Sequence, residues 1–146
     1  MKPPALQPDW VSPARTALLV IDIQADFAAP DGAMAQQGAD MTAIYPAVAQ
    51  AQALLAAARA AHMPCVFTRA VTAPHLETAV AREARARRGD DGPALCAEGM
   101  TGADFVEPLP RDGETVVTKH RYSVFAATGL ADMLKAKGID TLVLCG

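Results

Sequence analysis

The chain has 146 residues, of which 51% are hydrophobic and 20% charged, and a formal net charge of −3. That length builds one domain with a real core, and no apolar run reaches the length needed to span a bilayer. The negative balance speaks against a nucleic-acid partner, and the cluster Arg82, Arg85, Arg87 and Arg88, interleaved with Glu77 and Glu83, reads as a solvated helix face.

Met1 to Pro13 carries Trp10 and four prolines. It reads as an extended arm ahead of the domain at 14–146, either a loose tail or a strap onto a neighbouring subunit. It lacks a basic region followed by an apolar core, so no export signal is expected and the cytoplasm is the expected compartment. Ala17 to Ile23 is a continuous apolar run, as in a strand covered on both faces. Phe27 to Gly38 reads as loop. Thr42 to Ala61 is a predicted helix with Ile44, Val48, Ala51, Leu55 and Ala58 on one face. Cys65 to Thr68 is a second strand. Leu76 to Arg88 is a polar helix, Gly89 to Pro93 a turn cluster, and Cys96 to Pro110 mostly loop. A third strand, Thr115 to Lys119, precedes a helix at Thr128 to Lys137 that Gly138 caps. Thr141 to Cys145 is the fourth strand. Strands alternating with helices predict an α/β fold: a mostly parallel sheet in a three-layer, Rossmann-like α/β/α arrangement.

Two of these strands finish in a charge, the first at Asp22 and the third at Lys119. Ionised side chains are seldom buried unless paired or at work. In parallel sheets ligands bind beyond the carboxyl ends of the strands, so an acid and an ammonium are expected at one edge. A thiol attacks as thiolate, an ammonium favours that form, and a carboxylate can carry the proton. Such a set suits attack on an amide-like carbonyl. Of the three cysteines, Cys65 and Cys145 sit on apolar strands and read as small buried hydrophobes. Cys96 lies in a loop with nothing beside it to activate it. An odd, sparse set without a CxxC pair predicts free thiols and no structural zinc.

These residues resemble the isochorismatase-like cysteine hydrolases. The resemblance rests on Leu19-Val20-Ile21-Asp22-Ile23-Gln24-Ala25-Asp26-Phe27, on Cys96 to Ala103, on Lys119-His120-Arg121-Tyr122-Ser123-Val124-Phe125 with Thr128 and Leu130, and on Gly138 to Gly146. It implies Asp22 as general acid/base, Lys119 as the thiolate-stabilising lysine, and a small-molecule substrate hydrolysed at an amide, urea or imide. It also implies a six-stranded parallel sheet and a homodimer or homotetramer. The family's nucleophilic cysteine follows the strand that matches Thr141 to Gly146, so Cys145 is not its match. The nucleophile is expected beyond residue 146, in a longer chain cut after its fourth strand. The stretch Phe67 to His75 lacks the acid and the His-rich pattern of the metal-dependent members, so no metal and no cofactor is expected. The closer likeness is to the metal-free carbamoyl and ureido amidohydrolases, whose substrates often bear a carboxylate. Arg69 is a candidate to hold that carboxylate, and Phe27 and Tyr122 are candidates to wall the pocket. Two other readings stay open, a non-catalytic binding homologue and a cysteine-independent isochorismate-type hydrolase.

Overall fold

The computed structural model of the chain describes residues 7–89, 92 and 94–146. The first six residues of the predicted arm, and Asp90, Asp91 and Pro93 of the turn cluster, lie outside the described residues. The strands are β1 (Thr16–Ile21), β2 (Cys65–Ala70), β3 (Thr115–Lys119) and β4 (Thr141–Cys145), hydrogen-bonded in the order β3-β2-β1-β4 with every pairing parallel. The helices are α1 (Ala25–Ala28), α2 (Ala33–Gln36), α3 (Ile44–Ala60), α4 (Ala79–Arg87) and α5 (Leu130–Ala136).

Successive side chains of a strand leave opposite faces. Leu18, Val20, Cys65 and Phe67 therefore meet Ala51, Leu55 and Ala58 of α3 on one face. Ala17, Leu19 and Val66 meet Leu130 and Leu134 of α5, with Val124 and Ile139, on the other. Both faces of β1 are thus sealed, which is why its sequence is apolar without alternation. Burying a leucine such as Leu55 contributes about 1.5–3 kcal/mol. Phe67 also stacks edge-on against Phe105, with ring centroids 5.9 Å apart. Ile44, placed by periodicity on the buried face of α3, is instead about a third exposed, because it sits at the helix start beyond the sheet.

Other differences are local. Residues 8–11 form a 3₁₀ turn within the predicted extended arm, since a proline at the start pre-sets the helical φ. The predicted loop Phe27 to Gly38 contains α1 and α2, each only four residues long, too short to leave a periodic signal. A 3₁₀ turn at Pro74–Leu76 separates β2 from α4, which starts at Ala79 behind Thr78, whose hydroxyl accepts from Ala81 N–H at 3.1 Å. β2 runs two residues past its predicted end, pairing Ala70 with Lys119. Gly138 does cap α5, at φ +70°, with Ile139 N–H donating to Leu134 O.

The chain leaves β1 toward β2 on one side and β4 on the other. Between β1 and β4 the direction of winding reverses, and the carboxyl end of such a switch point is where open parallel sheets bind ligands.

Candidate active site

Asp22 stands immediately after β1 with φ of +53°, in the left-handed region that few residues other than glycine, asparagine and aspartate adopt. Its N–H donates to Thr68 O at 3.2 Å, and Gln24 N–H donates back to Asp22 O at 2.9 Å. This tight turn presents the carboxylate to the end of β2 and β3. Thr68 Oγ1 donates to Asp22 Oδ1 at 2.6 Å, and Lys119 Nζ meets Asp22 Oδ2 at 2.6 Å. The Asp22 side chain is 18% exposed and that of Lys119 7%, so the pair is poorly screened by solvent. Lys119 spends its remaining donors on the carbonyls of Arg121 and Tyr122, both at 3.3 Å. An ammonium has three hydrogens, so all are accounted for.

The edge around this pair is braced by residues to which the sequence alone assigns no role. Gln24 is fully buried, and its amide donates to Ala70 O and Ala103 O at 2.8 Å each and accepts from Ala70 N–H at 2.7 Å. Since Ala70 is the register partner of Lys119, one side chain ties the turn bearing Asp22 to the strand beside Lys119. Asp26 accepts from Cys96 N–H at 2.6 Å and so holds the loop between Cys96 and Val106 against α1. A Cβ on Gly102 would overlap the Asp26 carboxylate, so a larger residue there would have to displace that side chain. Only Gln24's short spacing from Asp22, within an apolar strand end, marked it in the sequence. Thr68 carried no signal of its own.

The cysteines divide clearly. Cys96 is fully buried in a left-handed conformation, and burial first, then the nearby Asp26 and Asp22 charges, push its thiol up to about 12 against the pull of Lys119. Burial likewise raises Cys65 and Cys145. None of the three is poised as a thiolate at neutral pH.

The other predicted residues are placed apart from the pair. Phe27 packs on Val71, Cys96 and Ala103. The Tyr122 ring is wholly exposed, while its carbonyl serves Lys119. Arg69 follows Phe67 by two residues and so leaves the sheet face opposite to Thr68. There its Nη2 donates to Thr118 Oγ1 at 3.3 Å and it lines a separate cleft. Among the described residues, no group of three His, Cys, Asp or Glu side chains could hold a metal ion, and no helix is long and apolar enough to cross a membrane.

A parallel α/β domain with an aspartate–lysine pair at its switch point defines a class, and comparison with known proteins places the chain within it. Residues 16–146 match the isochorismatase domain; the chain belongs to the isochorismatase family. It is 31% identical to the ureidoacrylate amidohydrolase RutB of Methylobacterium radiotolerans over 96% of this chain and 59% of that protein. With RutB of Pseudomonas syringae pv. syringae the identity is 30%, over 96% of this chain and 62% of the relative. The chain therefore spans about three-fifths of the length of these curated relatives. Among solved structures, a cysteine hydrolase from Pseudomonas syringae pv. phaseolicola superposes with a TM-score of 0.78 at 28% identity, covering 100% of this chain and 65% of the other. The N-carbamoylsarcosine amidase of Thermoplasma acidophilum superposes at 0.65 with 25% identity, over 89% of this chain and 66% of that one.

Proposed function

We propose that the protein hydrolyses a C–N bond of a small amide, urea or carbamoyl compound through a cysteine thioester, with the nucleophile in chain that follows residue 146. The observation that carries this reading is the buried Asp22–Lys119 contact at the switch point. The names of the similar amidohydrolases support the reaction class. The position of the nucleophile is supported by register: β4 pairs Cys145 with Val20, and a side chain at Gly146 would strike the Ile21 carbonyl, so chain continuing from there enters the site next to Asp22.

In this mechanism the thiol proton passes to Asp22 as sulfur attacks the carbonyl carbon, and Lys119 holds the developing thiolate. The tetrahedral intermediate collapses as its C–N bond breaks and Asp22 returns the proton to the leaving nitrogen. Water then attacks the thioester with Asp22 as base, releasing the acid and restoring the thiol. The protein works in the cytoplasm without metal or cofactor, as a homodimer or homotetramer.

The test is ammonia release from ureido and carbamoyl acids by the natural protein before and after iodoacetamide. Alkylation is expected to abolish turnover, and hydrolysis that survives complete alkylation would exclude the thioester.

A further inference from the structure

A lysine head is a point charge on a flexible stem, so a buried ammonium takes its place from the groups that answer its three hydrogens. For Lys119 one of these is Asp22 Oδ2, and the other two are the carbonyls of Arg121 and Tyr122. The sheet ladder ends at Lys119 itself, whose carbonyl accepts from Val71 N–H at 2.9 Å. The two carbonyls that steer the ammonium therefore belong to a turn beyond the ladder, and side chains fasten that turn. Arg121 Nη1 donates to Leu76 O at 2.9 Å and to His120 O at 2.8 Å. Leu76 is a firm anchor. It closes the 3₁₀ turn at Pro74–Leu76, and its N–H donates to the carbonyl of buried Ala73 at 3.0 Å. His120 adds a second tie, with Nδ1 2.8 Å from Val71 O; a carbonyl only accepts, so Nδ1 carries the proton. Arg121 thus has two parts. Its carbonyl accepts from the ammonium, while its side chain clamps the preceding peptide to the segment that follows β2.

We infer that Arg121 is a positioning residue that acts through Lys119: its guanidinium holds the turn after β3 so that the Arg121 and Tyr122 carbonyls aim the ammonium at Asp22. Both guanidinium bonds go to backbone carbonyls, so the effect reaches Asp22 through the turn and not by contact. A small displacement of a supporting group is felt at the chemistry, because the reacting groups must keep their geometry. The effect on turnover rests on the proposed hydrolysis, in which Lys119 holds the thiolate. The effect on the ammonium itself does not.

The experiment follows the hydrogens of the Lys119 ammonium by NMR, in the natural protein labelled at the lysine side-chain nitrogen, with the signal assigned by its loss in Lys119→Met. Arg121→Met removes both guanidinium bonds and keeps an unbranched stem. It is expected to speed exchange of the ammonium hydrogens about tenfold, the equivalent of one ordinary hydrogen bond. The melting temperature should change little, since the Arg121 side chain is exposed. Arg121→Lys keeps a donor without the planar fork and is expected to recover part of the protection. Where a ureido or carbamoyl acid is turned over, Arg121→Met should lower kcat about tenfold and leave KM within about twofold. Unchanged ammonium exchange in Arg121→Met would overturn the inference. So would an acceleration shared by backbone amides across the sheet, which marks general loosening, or faster ammonium exchange beside an unchanged kcat. The exchange readout needs no substrate, so it stands if the hydrolase reading fails. Unchanged exchange alongside iodoacetamide-sensitive turnover removes the inference and leaves that reading in place.

Discussion

At position 22 an acid holds a left-handed backbone that costs an ordinary residue about 1–2 kcal/mol, and in return its carboxylate reaches both Thr68 and Lys119. Asparagine tolerates the same backbone, which makes Asp22→Asn a clean probe. It is expected to lower kcat by about a thousandfold or more, since Asp22 carries the proton in the proposed mechanism. It also strands the buried ammonium, so the melting temperature should drop by about 5–10 °C. Removing both partners in Asp22→Asn/Lys119→Met is expected to restore much of the melting temperature and none of the activity. Thr68→Val keeps the strand and loses the bond to Oδ1. It should lower kcat about tenfold with little change in KM, whereas Thr68→Ser should retain activity. Cys96, with its thiol at about 12, is expected to resist iodoacetamide at pH 8 in the folded protein and to react once unfolded, as read by mass spectrometry.

Among the elements, the amino end of the sheet is tied by a different pair. Arg59 near the end of α3 grips Glu114, just before β3, and the two side chains are 17% and 15% exposed. The Arg59 hydrogen bonds hold the Glu114 carboxyl below its usual range, and Glu114 raises Arg59 in turn. A carboxylate whose folded value is depressed stabilises the fold above its unfolded value, and that contribution is lost as the pH falls through the folded value. Glu114→Gln should therefore melt below wild type at pH 7, and the gap should close as the pH drops below about 4.3, the ordinary glutamate value. A gap that persists unchanged to pH 3 would mean that Glu114 acts by packing and not by charge. At the carboxyl end Gln24 has the corresponding mechanical role, as its amide spans the turn after β1 and the register partner of Lys119.

For the whole molecule, the order β3-β2-β1-β4 puts β1 in the interior and its carboxyl end at the switch point. That places Asp22 between two strand ends that come from distant parts of the chain. The apolar runs of β1, β3 and β4, the stripe on α3 and the glycine after α5 were legible because each is a local pattern: burial on two faces, helical spacing, a left-handed cap. The two charged strand ends were legible for a related reason, since a charge finishing an apolar strand is improbable unless something answers it. The short helices α1 and α2 were not legible, because four residues carry no period.

The sequence by itself determined the α/β class, the strand–helix order and the two charges that meet at the edge of the sheet. Strand pairing decided the rest. The register of Ile21 on Thr68 and of Ala70 on Lys119 brought Thr68 to Asp22 and made Gln24 a brace. Strand alternation sent Arg69 to the face away from the Asp22–Lys119 pair, and burial silenced Cys96. Those outcomes depend on which residues stand opposite one another across strands some fifty positions apart, and a composition or a local period contains no information about that.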